Sequence, residues 1–207
     1  MSLSVDDISS VKTAPPSTGV LPIILERWSP HSFADRAVAN EDLISIFEAV
    51  RWTASSYNEQ PWRFVVGIKG TKIYEQLFAS LIPFNQSWAG RAPVLIVGAA
   101  DTKFSHNGTV NTYAIYDLGA ATTTLKIEAT FLGLSAHSMG GFDHTAVRAS
   151  LNIPEQYALG AVIALGYQGE VDQLGDERLI SQEVAPRQRK NVGEFVFSAW
   201  EQPAELG

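Results

Sequence analysis

The chain contains no cysteine. That single absence excludes disulfides, thiolate metal sites and a cysteine nucleophile. No apolar run approaches the ~18 residues that a membrane-spanning helix needs. The opening residues, MSLSVDDISS, carry acids and no apolar core, so they are not expected to act as a secretory signal. A cytoplasmic protein is the simplest expectation, with no membrane partner. Long basic runs are missing as well, and the formal net charge is −7, so nucleic acid is not an expected ligand. The histidines, His31, His106, His137 and His144, show no HExxH or other metal-ligand spacing and are expected to be structural or surface groups. No GxGxxG, P-loop or GxSxG elbow is present. His137, Asp143 and the serines do not define a triad without known placement. Any catalysis is therefore expected to depend on chemistry brought by a cofactor.

What is present is a 207-residue chain that is 45% hydrophobic and 18% charged, enough for one domain with its own core. Residues 1–19, with their PPSTG stretch, read as a mobile or wrapping N-terminal arm ahead of a single domain over 20–207. Asn40 is a candidate N-cap, followed by Glu41 and Asp42, and Leu43, Ile46, Phe47 and Val50 then recur at helical spacing. Trp62–Ile68 and Pro93–Ala99 read as buried strands, with a helix over 71–81 between them. A short strand is expected near 134–138, a helix from about 143, and a strand over 159–167. The mixture without regular βαβ repetition predicts an α+β domain. Residues 113–132 predict a helix with two apolar stripes. Ala114, Leu118, Ala121, Leu125, Ala129 and Leu132 form one, and Tyr113, Tyr116, Ala120, Thr124, Ile127 and Phe131 the other. Such a helix is buried on two sides, one of them against the rest of the chain or a second subunit. Two cation groups could bind an anion: Arg27 with His31, and Arg187-Gln188-Arg189-Lys190.

Three segments together resemble the nitroreductase family of flavoenzymes. In the first, RWSPHSF over 27–33, Arg27 and Ser29 match a phosphate-gripping stretch that also contains Trp28, and His31 stands where a Lys or Arg is usual. Guanidinium and hydroxyl donors suit phosphate oxygens. The second, TASSYNEQPWRF over 53–64, matches the family loop at Ser55, Ser56, Asn58, Gln60, Pro61 and Trp62, with Ala54 in place of a proline. Asn58 can both donate to and accept from the pyrimidine edge of a flavin, while Gln60 and Trp62 position the loop. The third, HSMGGFD over 137–143, matches a turn whose backbone N–H groups approach flavin N5, with Gly140 and Gly141 lacking a Cβ there. Asn85 matches an asparagine near the flavin, and PRQRKNVGEFV offers Arg189, then Arg187, to the phosphate.

The resemblance implies a mixed sheet of four or five strands flanked by helices, in an intertwined homodimer with FMN at the interface. It implies a ping-pong oxidoreductase, with NADH or NADPH as co-substrate and a nitroaromatic, quinone or similar small molecule as acceptor. No protein side chain is expected to act as an obligatory nucleophile. Segments 82–91 and 102–112 are candidate walls of the acceptor pocket. A protein that stores or presents FMN without turnover, and a specialised branch of the same fold, remain open alternatives at this level.

Overall fold

The computed structural model describes residues 4–16 and 19–205. Its centre is a four-stranded sheet of β1 (Trp62–Ile68), β2 (Val94–Asp101), β3 (Ser135–Met139) and β4 (Tyr157–Gly166), in the order β1-β2-β4-β3. Every pairing is antiparallel, so the sheet is not mixed in strand direction as the resemblance implied. The α+β class itself stands.

Helices cover both faces of the sheet. On one lie α3 (Asn40–Arg51) and α6 (Ala114–Phe131), packed over Val94, Ile96, Ile163 and Leu165. On the other lie α4 (Lys72–Ser80), α5 (Pro83–Ala89) and α7 (His144–Leu151), over Leu95, Val97, Val162 and Ala164. The alternation of these residues along β2 and β4 is the two-residue period of a strand buried on both sides. Leu118 of α6 packs so closely on β4 that a Cβ at Gly160 would lie 2.8 Å from its Cδ2.

Local chemistry sets the boundaries. Thr71 caps α4 and Asp143 caps α7, each accepting a backbone N–H from the first turn. Asn40 is not the N-cap of α3. Ala39 occupies that position and Asn40 is the first helical residue, its side chain making no capping bond. Glu41 and Asp42 in the first turn complement the helix dipole instead.

The N-terminal segment is a second correction. Residues Val5–Lys12 form α1, closed by a reciprocal bond set between Ser4 and Asp7. Ile8 is fully buried in the core, so this part of the presumed mobile arm is fixed to the domain. Residues 1–3 and 17–18 of the arm lie outside the described residues. A short helix α2 (Pro22–Glu26) then leads into the segment carrying Arg27. After β4 come α8 (Glu177–Val184) and a small hairpin of β5 (Phe197–Ala199) and β6 (Gln202–Pro203).

Candidate functional site

The segment after α2 runs beside β3, where His137 Nδ1 lies 2.9 Å from the Pro30 carbonyl. Arg27 is partly buried, and its pKa is pushed down, first by burial and then by the nearby charge of Arg189. Lys126, projecting from α6, is likewise lowered by burial and then by Arg27. Arg187 is lowered by burial and by Arg189 and Arg27. Among the described residues none of these four cations pairs with a carboxylate. Arg27, Lys126 and Arg187 are thus each lowered first by burial and then by a neighbouring cation, in a chain of net charge −7, an arrangement suited to an anion.

The members are not equivalent. Arg187 donates from Nη1 to the Arg27 carbonyl at 2.7 Å and from Nη2 to the Leu25 carbonyl, while its buried Nε has no partner. Arg189 is exposed and reaches only the Gln188 carbonyl. Trp28 points elsewhere: its ring lies 4.8 Å from Lys12 Nζ and packs on the α1 side of the molecule. His31 is also engaged away from the cluster. Its N–H donates to both oxygens of Glu183 at 2.9 and 3.1 Å, and its Nδ1 is 3.1 Å from Oε2. Lys126 escaped the sequence reading. Its signal was a single cation inside an otherwise neutral or acidic helix.

The turn after β3 is built from two sides. Asn85 Nδ2 and Ile82 N–H both donate to the Gly141 carbonyl, at 2.9 and 3.1 Å. A Cβ at Gly141 would crowd Ile82 and Asn85, so that glycine serves the contact with α5. Gly140 faces open space. Ser138, which alternates with the core-facing Met139, holds a buried hydroxyl without a partner.

The loop over 53–60 lies apart from these groups. Ser56 N–H donates to Asp117 at 3.1 Å and the Thr53 hydroxyl to Thr124 at 2.9 Å, fastening the loop to α6. Ser55 Oγ accepts the Gln60 N–H at 2.9 Å and closes a turn over Ser56–Asn58. Tyr57, Asn58 and Gln60 have positive φ of 54, 56 and 50°. Each such residue costs on the order of 1 kcal/mol, the kind of strain that gathers at binding sites. Ala54 and Asn58 are exposed, and the Asn58 carboxamide makes no bond among the described residues.

The helix phase separates the two halves. At about 100° per residue, Asp117 and Thr124 lie on one flank of α6 and Lys126 on nearly the opposite one. One chain therefore brings Arg27, Lys126, Arg187 and Arg189 close together, and the turn that Asn85 anchors follows β3. It holds Ala54, Ser55, Ser56 and Asn58 on the α3 side.

The nitroreductase family model matches residues 24–84 and 72–167, and the chain belongs to that family. An uncharacterized 15.4 kDa protein of Mycolicibacterium smegmatis is 33% identical over 149 residues, 68% of this chain and 99% of the relative. A protein of Archaeoglobus fulgidus, provisionally named NADH dehydrogenase/NAD(P)H nitroreductase, is 28% identical over 151 residues, 71% of this chain and 84% of the relative. The solved structure of an oxidoreductase containing FMN superposes with a TM-score of 0.85 at 31% identity, covering 90% of this chain and 95% of that one.

Proposed function

We propose that the chain is an FMN-dependent oxidoreductase that passes a hydride from NAD(P)H to a small acceptor such as a quinone or nitroaromatic. The observation that carries this reading is the group of Arg27, Lys126 and Arg189, free of carboxylates and joined by the unpartnered Arg187 Nε. It fits a phosphate monoester, and the buried Ser138 hydroxyl and open Gly140 turn continue from it along β3. When bound, the flavin supplies hydride transfer, which no side chain of this protein can supply alone. Arg27, Ser29 and Arg189 would hold the phosphate, and Lys126 would add charge from α6. Backbone N–H groups at Gly140 and Gly141 would donate toward the ring, and a peptide donor has no pKa in the working range. Asn85 fixes the turn that aims them.

The same reading requires a homodimer. Ser55, Ser56 and Asn58 sit on the wrong flank of α6 to meet the phosphate group of their own chain. Tyr113 and Phe131 leave that flank apolar and exposed, with Tyr116 on the adjoining outward face. A second copy packed on α6 covers this stripe and brings its loop to the first copy's turn. NAD(P)H and acceptor then use one pocket in succession, with the nicotinamide product leaving first. A cluster of exposed Tyr57 and His106 with half-buried Phe104, ring centroids 5.4–6.2 Å apart, offers flat surfaces to planar substrates at its rim. The cytoplasmic address belongs to the same proposal. Chromatography of the chromophore released by heat tests the reading. FMN is expected, and FAD, or no flavin after reconstitution, overturns it.

A further inference from the structure

We propose that Lys12 and Glu183 form a clasp that holds the Arg187–Arg189 segment in register with Arg27. The two ends of the chain thereby position a phosphate site that neither clasp residue touches. This inference deepens the FMN reading and rests on it.

Lys12, the last residue of α1, is only 6% exposed. Its Nζ donates to the carbonyls of Gln182 and Ala185 at 2.7 Å each. Gln182 lies in the last turn of α8 and Ala185 is its C-cap, so the ammonium meets carbonyls that lack intrahelical donors at the negative end of the helix dipole. The same ammonium lies over the Trp28 ring, so one group joins α8 to the Arg27 segment.

Glu183 fastens α8 from the other side. It is 1% exposed and receives the Ser32 N–H at 2.9 Å and the Ser32 hydroxyl at 2.8 Å, besides the His31 contacts. Burial pushes its carboxyl up, yet the donors of His31 and Ser32 outweigh that and hold it below its ordinary value. A buried carboxylate is stable only when satisfied in this way. Arg187 adds a third attachment through Leu25 and Arg27. Arg189 has no such anchor of its own. Its place beside Arg27 follows from the backbone held at 183–187.

The test compares FMN with riboflavin, which differ by the phosphate. Dissociation constants for both are measured by flavin fluorescence quenching on stripped protein, for the unaltered chain, Lys12→Met and Glu183→Gln. Lys12→Met keeps the aliphatic stem, and Glu183→Gln keeps the shape of the carboxylate. Each variant is expected to lose about tenfold in FMN affinity, the effect of removing one charge-assisted bond, while riboflavin affinity moves by less than about twofold. Equal losses for both flavins overturn the clasp, because they describe general loosening of the scaffold. Unchanged FMN affinity overturns it too. If the unaltered protein does not favour FMN over riboflavin, the phosphate reading itself falls and the clasp with it. Should Glu183→Gln fail to fold, Lys12→Met, on a peripheral helix, decides alone.

Discussion

His137 should make the folded protein sensitive to mild acid in a way that one substitution abolishes. Its ring is held between His31 and Trp88, with centroids 4.8 and 4.7 Å away, and its Nδ1 faces the Pro30 carbonyl. A carbonyl only accepts, so Nδ1 carries the proton of a neutral ring. Burial pushes the pKa from 6.5 to about 4; Pro30 and Glu183 oppose that shift, while His31 and Lys126 add to it. The folded value lies below the unfolded one, so folding favours the neutral ring. The resulting stability is complete above pH 6.5 and is lost as the pH falls toward 4. Between pH 7 and pH 5 the loss works out at about 2 kcal/mol, from about 1.36 kcal/mol per pKa unit. His137→Asn keeps a donor for Pro30 and cannot titrate. Urea unfolding of stripped protein, at fixed chain concentration, would measure both proteins at the two pH values. The parent should lose about 2 kcal/mol more than the variant over that interval. Equal losses would refute the assignment of a neutral, buried His137.

Arg189→Ala should weaken FMN binding by about 10- to 100-fold in a flavin titration, and Lys190→Ala by no more than about twofold, because only the first removes a charge-assisted phosphate contact. Equal affinities would show Arg189 to be misassigned. Tyr116, 77% exposed on α6, should tolerate aspartate in a monomer, yet Tyr116→Asp should raise the dimer dissociation constant at least about a hundredfold by burying two unpaired carboxylates. Light scattering across a dilution series checks this, and an unaltered dimer would move the interface away from α6.

Much of the domain was legible in the sequence because its signals are local. The bulky runs of β1, β2 and β4 sit within a few residues of their expected bounds, and the first apolar stripe of α6 is the buried one, with Leu132 half-buried. The loop over 54–58 stood out by its ordered match. Other features depend on contacts that no window contains. α1 is short and mostly polar, and Ile8 alone anchors it in the main core, so its sequence reads as an arm. α5 begins at Pro83 after an extended Ile82, and its polar and aromatic residues resemble a loop. His31 matched a phosphate position, but a carboxylate 152 residues away claims it. Trp28 was drawn into the site by its neighbours, although successive residues of an extended segment face opposite ways. Both glycines of the turn looked alike, yet packing against Ile82 and Asn85 explains only Gly141.

The attachment of α8 to the start of the chain also fixes when this molecule can become competent. Lys12 meets a carbonyl 170 residues away, and Arg187 meets one 162 residues away. The sheet and α6 are complete once β4 has been made, whereas the cation cluster waits for the last fifth of the chain. A chain that stops short of Arg187 can bury its sheet but cannot complete the cation cluster. Contacts of such long sequence separation form late, after the loop between them has been ordered by the core. The cation cluster is therefore assembled only after Arg187 and Arg189 have docked on a sheet that is already complete.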